Sequence, residues 1–209
     1  MSKKNAGEMS SFLDWLSAYR AMKEDAWEHI PSIGLYMDQV VGYLNEALAP
    51  TAKSKEEATL TASMVNNYVK FGYLSRPEKK RYTREQIAVL YLLCSMKQSL
   101  SMTDASSLLS LLTGGEDSEK LASLYTRFAE ERQKTAKEVA TRAEAAGNRE
   151  ALIESALSFV LEAEALRLVA ERILISVKQE DEAQKEALAA AITLAEEQNK
   201  KAAKAAKKA

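Results

Sequence analysis

Ser63, Asn66, Asn67 and Lys70 follow one another at i, i+3, i+4 and i+7. A helix drawn through them therefore carries all four on one face. Side-chain amides at that spacing can pair with the donor and acceptor of an adenine edge in a major groove, and a lysine beside them can neutralise a phosphate. The chain then runs on as "FGYLSRPEKKRYTREQI", placing Arg76, Lys79, Lys80 and Arg81 in one short loop. Residues 60–98 hold seven basic and two acidic side chains, net +5, while residues 1–59 and 99–209 each carry −3 and the whole chain −1. A near-neutral total implies no polyanionic partner, but a local concentration of charge is what an electrostatic footprint requires. The chemistry on offer is recognition of double-stranded DNA. Ser63, Asn66, Asn67 and Lys70 would face bases or nearby phosphates, and Lys79, Lys80 and Arg81 would hold the backbone. Arg76 and Arg84 would assist, with Tyr82 anchoring the loop. The same residues also fit a solvated turn beside two exposed asparagines, and spacing alone does not choose between the two.

Residues for catalysis or metal binding are sparse. The single histidine, His29, precedes Ile30 and Pro31 and has no companion base or ligand in the sequence. No Cys/His cluster has metal-ligand spacing, "TGGEDSEK" lacks the phosphate-loop pattern, and the Glu-x-x-His pairs of di-iron bundles do not occur. Glu130 and Glu131 fall on a long polar helix face, where carboxylates are ordinarily solvated. The expectation is a non-enzymatic protein without a cofactor or metal. Cys94, the one cysteine, lies in the apolar run "AVLYLLCSM" and reads as a buried, unreactive thiol. The N-terminal "MSKKNAGEMSSFLDW" has no apolar signal core and no run is long enough to span a bilayer. These features point to a reducing, cytoplasmic setting and no membrane partner.

The elements that must position the candidate residues are helical. Gly and Pro number only 7 and 3, and Ala, Leu, Glu and Lys abound. Ser11, with Asp14 three positions on, predicts a helix start ahead of Phe12, Trp15, Leu16, Tyr19 and Met22. Trp27 and Ile30 precede a break at Pro31. Met37, Val40, Val41, Leu44 and Leu48 trace the face of a second helix ending at Pro50, and "TAKSKEEAT" at 51–59 reads as a polar connector. Thr61 caps a helix over 62–71, with Gly72 in the left-handed position beyond its end and Leu74 closing the cap. Thr83 and Gln86 form a capping box for a helix burying Ile87, Leu90, Tyr91 and Cys94. Ser101 or Thr103 caps the next, which ends at Gly114 and Gly115.

Beyond Glu116 the pattern changes. Leu121, Leu124, Tyr125, Phe128 and Val139 give a sparse stripe, and "AAGN" at 145–148 marks a break. Leu152, Ala156, Phe159, Ala163, Leu166, Ala170, Ile173 and Val177 then alternate spacings of four and three, which is a heptad seam. Ile153, Leu157, Val160, Leu161, Leu168 and Leu174 widen it, as for a helix central to a bundle or at an interface. A third helix is predicted from Glu180, with a weaker stripe of Ala183, Leu188, Ile192 and Ala195 and a fraying Lys/Ala tail. The predicted domains are 1–113, compact and of short helices, and 116–200, a long-helix hairpin or three-helix array, with a tail at 201–209. The seam serves either an intramolecular bundle or a homodimer, because a heptad pattern does not say which chain supplies the partner. A small-molecule effector between these helices has no sequence signal of its own.

Residues 60–93, "LTASMVNNYVKFGYLSRPEKKRYTREQIAVLYLL", resemble the winged helix-turn-helix core of MerR-type transcription regulators. In that family a recognition helix ends in a tyrosine-containing stretch and Gly-Leu, a basic wing follows, and an Arg-Tyr-Ser/Thr step opens the next helix. Tyr68, Gly72, Arg81, Tyr82 and Thr83 stand at those places, and "SMTDASSLLSLL" resembles the family's short fourth helix. Residues 30–112, with "LYMDQVVGYLNEAL" upstream, are more similar still to a bacterial family of unknown function numbered 1836, itself MerR-like. The resemblance implies an all-α, MerR-like winged helix-turn-helix fold and a dimeric transcription regulator reading duplex DNA. Its recognition helix would be 62–71, its basic wing 75–82, and its dimer would form through the C-terminal helices. Such regulators usually carry Arg and Tyr where this chain has Asn66 and Asn67, and the turn at 49–60 is longer than theirs. The alternative is a helical interaction protein that keeps the fold without specific DNA binding.

Overall fold

Apolar periodicity and the few helix breakers account for the order of elements. The computed structural model describes residues 3–23, 26–49, 60–115 and 117–206. Among these, every regular element is a helix: α1 (Lys3–Ala21), a 3-10 turn (Trp27–His29), α2 (Met37–Leu48), α3 (Ala62–Lys70), α4 (Arg84–Met96), α5 (Met102–Thr113), α6 (Ser118–Glu144) and α7 (Arg149–Ala206). Two isolated β-bridges, Leu35 with Tyr82 and Glu78 with Arg81, supplement them. The fold is all-α, as the composition implies. The polar connector read at 51–59 lies outside the described residues.

Helix starts follow the capping residues. Thr61, Thr83, Ser101 and Asp117 each accept hydrogen bonds from first-turn N–H groups, so α3 to α6 begin with donors satisfied by their own side chains. Of the two hydroxyls available to α5, Ser101 is the cap. Asp117 receives the amides of Lys120 and Glu119, which hold its carboxyl below the usual range together with the Lys120 charge. One expected start is wrong: Ser11 lies inside α1, which already runs from Lys3. A helix needs no apolar stripe to propagate, so the apolar run marked where the helix packs and not where it begins.

The chain divides into two units, residues 1–163 and 164–209. In the first, one core gathers Ile30, Val40, Leu44, Leu60, Val65, Ile87, Leu90, Leu93 and Leu109 with Leu121, Leu124 and Tyr125 of α6. Each large aliphatic side chain fully buried there contributes about 1.5–3 kcal/mol. α4 is the central helix, buried at eight positions, of which Gln86 is the only polar one. Trp27, Tyr91, Tyr125 and Phe128 meet ring to ring at 5.6–6.3 Å and tie the 3-10 turn to α4 and α6. Cys94 is buried, as its apolar run implies, and desolvation pushes its thiol up to about 11, so it stays protonated. His29 is exposed on the 3-10 turn.

The second half of α6 packs against α1, with Leu16 seated on Ala140 and Ala143. The end of α6 holds the first turns of α7. Arg142 donates to both carboxylate oxygens of Glu162, at 3.2 and 2.6 Å, and lies over the Phe159 ring at 4.8 Å. The second unit, Glu164–Ala209, holds the remainder of α7, with an Arg167–Glu171 ion pair on its surface. No third helix begins at Glu180: α7 is unbroken from Arg149 to Ala206. The reason is compositional, since no Gly or Pro follows Gly147 and the polar step at 179–182 contains no helix breaker, with Gln179, Glu180 and Glu182 good helix formers. The predicted seam is largely uncovered. Leu152, Phe159 and Val177 are half-buried, while Ala156, Ala163, Leu166, Ala170 and Ile173 are exposed.

Candidate nucleic-acid interface

The placement of α3 begins with Asn45, near the end of α2. Its amide donates to the Leu60 carbonyl at 3.0 Å, and its Oδ1 accepts from the Leu60 N–H at 2.6 Å. Both backbone groups of Leu60 are thereby satisfied just before the helix, and Leu60 itself is buried. The Thr61 hydroxyl then caps the first turn through Met64 N–H. Val65 and Tyr68 face the core, so the opposite side of the helix must face solvent. Ser63, Asn66, Asn67 and Lys70 are all exposed on it. Burial drives the Tyr68 phenol up to about 12, so it serves the core as a neutral anchor.

The exit from α3 is equally determined. Gly72 adopts φ 76°, and the N–H groups of Tyr73 and Leu74 both return to the Tyr68 carbonyl. A side chain at that φ would be strained, which is why glycine occupies it. Leu74 is buried and closes the cap. The following loop is gripped at its start by Gln86, whose amide donates to both the carbonyl and the hydroxyl of Ser75 at 3.0 Å. Its Oε1 accepts from Thr83 N–H at 3.0 Å, so one buried amide ties the loop to the start of α4.

Between these anchors the chain makes a tight hairpin. Arg81 N–H donates to the Glu78 carbonyl at 2.8 Å, and the two residues at the tip, Lys79 and Lys80, have φ of 48° and 63°. Left-handed backbone at both central positions is the two-residue hairpin turn that normally selects Asn-Gly. Two lysines there cost about 1–2 kcal/mol each. The hairpin returns at Tyr82, which exchanges two backbone hydrogen bonds with Leu35, at 3.0 and 2.8 Å. Tyr82 is buried, and burial raises its phenol. Gly34 lets the two segments approach closely, because a Cβ there would stand 3.0 Å from Arg81 Cβ, a tight contact to which Arg81 would have to yield.

The ten residues singled out in the sequence thus divide by environment. Ser63, Asn66, Asn67, Lys70, Arg76, Lys79 and Lys80 are exposed. Among the described residues, no hydrogen bond or ion pair engages their side chains, though Lys70 lies 6.0 Å from the Phe71 ring centroid. Arg81 is exposed as well, but it stacks over Tyr36 at 4.9 Å and donates to its hydroxyl at 3.1 Å. Arg84 donates to the carbonyls of Ile30 and Glu28, at 3.0 and 3.4 Å, beneath the Trp27 ring. Tyr82 is internal. These last three hold the hairpin and its neighbours in place. Of the two acidic residues in the basic stretch, Glu85 accepts from the Ser118 hydroxyl at 3.1 Å. Burial pushes its carboxyl up, but hydrogen bonds from its own amide, Thr83 and Ser118, with the Arg84 charge, bring it net below the usual value. Asn45, Tyr36 and Gly34 were not anticipated, because their partners lie 15 to 47 positions away in sequence. Among the described residues no cluster of His, Cys, Asp and Glu could hold a metal ion, and no helix is long and apolar enough to cross a membrane.

The site is therefore a polar helix face followed by a cation-tipped hairpin, built on an all-helical core. Residues 25–128 match the model of a family described as "Domain of unknown function (DUF1836)". The match supports the resemblance read in residues 30–112 and extends it from the 3-10 turn to Phe128, the span of the main core. No match was found among curated proteins or among solved structures.

Proposed function

We propose that this protein binds double-stranded DNA as a dimeric transcription regulator with a winged helix-turn-helix of MerR-like type, acting in the cytoplasm. α3 enters the major groove with Ser63, Asn66, Asn67 and Lys70 toward bases and phosphates. The 75–82 hairpin is the wing, with Arg76, Lys79 and Lys80 on the flanking backbone. Arg81, Tyr82 and Arg84 position that wing: Arg81 against Tyr36, Tyr82 against Leu35, Arg84 against the turn at 28–30. The observation that carries the reading is the hairpin tip. Strained backbone persists where a function retains it, and two lysines in left-handed conformation give up stability to hold two cations at one exposed point.

A single α3 spans too few base pairs for selectivity, so two copies reading an inverted repeat are required. The uncovered apolar residues of α7 suit that pairing. Ile153, Leu157, Val160 and Leu161 are 54–65% exposed in the first unit, and Leu166, Leu168, Val169 and Ile173 are 52–65% exposed in the second. The same residues favour the second reading, a helical interaction protein whose α7 recruits a different chain. Selection from a randomised duplex pool separates the two. Enrichment of an inverted repeat, relaxed at particular positions by Asn67→Ala, supports the regulator. A pool without enrichment, with α7 still required for a partner, supports the interaction protein.

A further inference from the structure

α3 ends on an exposed aromatic ring. Phe71 is 65% exposed, and among the described residues between 60 and 110 it is the only large apolar side chain left exposed. Its place is fixed by the helix. Phe71 N–H donates to the Asn67 carbonyl at 2.9 Å, the ordinary bond of a helical turn, so helical spacing holds through residue 71. Phe71 therefore stands one turn beyond Asn67 on the same side, at the edge of the face that carries Ser63, Asn66, Asn67 and Lys70. The ring is also buttressed. Tyr73 meets it at 6.2 Å, tilted by 39°, and the Tyr73 hydroxyl shares a 3.0 Å hydrogen bond with that of Thr103 in the first turn of α5. Ring pairs of this kind attract, so Tyr73 restrains Phe71 at the end of the face.

A phenyl ring has no hydrogen-bonding atom, so it can offer a duplex only apolar contact. The base faces of a duplex are stacked on one another, and the apolar group displayed in the major groove is the thymine 5-methyl. Asn67 beside it suits an adenine edge in the same groove. Neighbours one helical turn apart on a face lie about 5–6 Å from each other, and successive base pairs about 3.4 Å. A ring one turn past Asn67 thus falls one or two base pairs beyond the adenine that Asn67 meets.

We propose that Phe71 contacts a thymine 5-methyl group next to the adenine met by Asn67, so that each half-site is read as a short A·T block. The inference rests on the groove placement of α3 and names the base that the end of the helix selects. Removing the methyl alone tests it. Full-length protein is titrated with an alternating A·T duplex of about 20 base pairs and with the same duplex carrying deoxyuridine for every thymidine, which keeps every charge and every hydrogen-bonding group. Wild type should bind the thymidine duplex about fourfold tighter per copy, the fold-change that burying one methyl group supplies. Phe71→Ala should erase the difference, and Phe71→Leu, apolar but smaller, should keep part of it. Equal wild-type affinity for the two duplexes, with binding that still weakens as salt rises, would overturn the Phe71 contact and leave the groove reading standing. A thymidine preference undiminished in Phe71→Ala would place the methyl contact on another side chain and overturn it too. No binding to either duplex at low salt would overturn the groove reading, and this inference with it.

Discussion

Replacing Lys79–Lys80 by Asn-Gly should make the protein more stable and a poorer DNA binder at once. Both lysines occupy left-handed backbone, at φ 48° and 63°. Such a conformation costs a non-glycine residue about 1–2 kcal/mol, and Asn-Gly is the pair this turn prefers. Glycine returns part of the gain through its larger unfolded-state entropy, about 0.5–1 kcal/mol. The net stabilisation is then about 1–2 kcal/mol, or a rise of roughly 2–8 °C in Tm for a chain of this size. The hairpin itself is kept, because its bridge runs between Glu78 and Arg81, outside the substitution. Binding should move the other way. Losing two phosphate contacts per copy reduces the slope of log K against log salt by about 0.9 for each contact, close to 2 per copy. The assays are urea denaturation with circular dichroism, and fluorescence-polarisation titrations of a random 20-base-pair duplex across a salt series. A variant more stable than wild type that binds with an unchanged slope would remove the lysines from the DNA interface. A variant no more stable would refute the strain argument, and the reason given for the lysines with it.

Three further outcomes follow from the same geometry. Asn45→Ala leaves both backbone groups of Leu60 without their side-chain partner and should destabilise by about 2–3 kcal/mol in urea melts, whereas Asn45→Asp, keeping the acceptor, should cost less. Tyr68 and Cys94 are raised to about 12 and about 11 by desolvation, so each favours its neutral form in the folded state. Their contribution is complete below the unfolded values of about 10 for Tyr and 8.5 for Cys, and it is lost as pH rises through the folded ones. Stability measured from pH 8 to 12 should fall toward the alkaline end, and the fall should shrink in Tyr68→Phe. Leu157→Asp and Leu168→Asp place charges on exposed apolar positions of α7. Each should leave the helical circular dichroism intact while shifting sedimentation from dimer to monomer, and a wild type monomeric at 100 μM would refute the pairing.

The chain's local signals were legible and its distant ones were not. Caps at Thr61, Thr83 and Ser101, the left-handed Gly72 and the apolar faces of α2 to α5 all rest on interactions within a few residues, which a one-dimensional pattern displays. The exposed face of α3 follows from the same periodicity. Interactions across long separations carried no such signal: Asn45 with Leu60, Arg81 with Tyr36, Arg84 with Ile30. Arg84 illustrates the difficulty. By composition it is one more cation in a basic stretch, and only its two carbonyl acceptors show that its charge is directed inward. The packing of α1 on α6 was hidden because α6 offers Ala140 and Ala143 there, small residues that admit a close neighbour without standing out as an apolar stripe. The heptad seam of α7 was real as a pattern, but the pattern does not state what covers it.

The central claim, that the basic hairpin and the α3 face meet a nucleic-acid backbone, is tested most directly by affinity for random duplex DNA as a function of salt. Leaving aside the exposed Arg81, which is held by Tyr36, Lys70, Arg76, Lys79 and Lys80 provide four exposed cations per copy. Binding at about 50 mM salt is expected, with a log–log slope of about −3.6 per bound copy, and about −7 if two copies engage together. Absence of binding at 50 mM, or a slope near zero, would contradict it and leave the helix and hairpin as a scaffold for a protein partner.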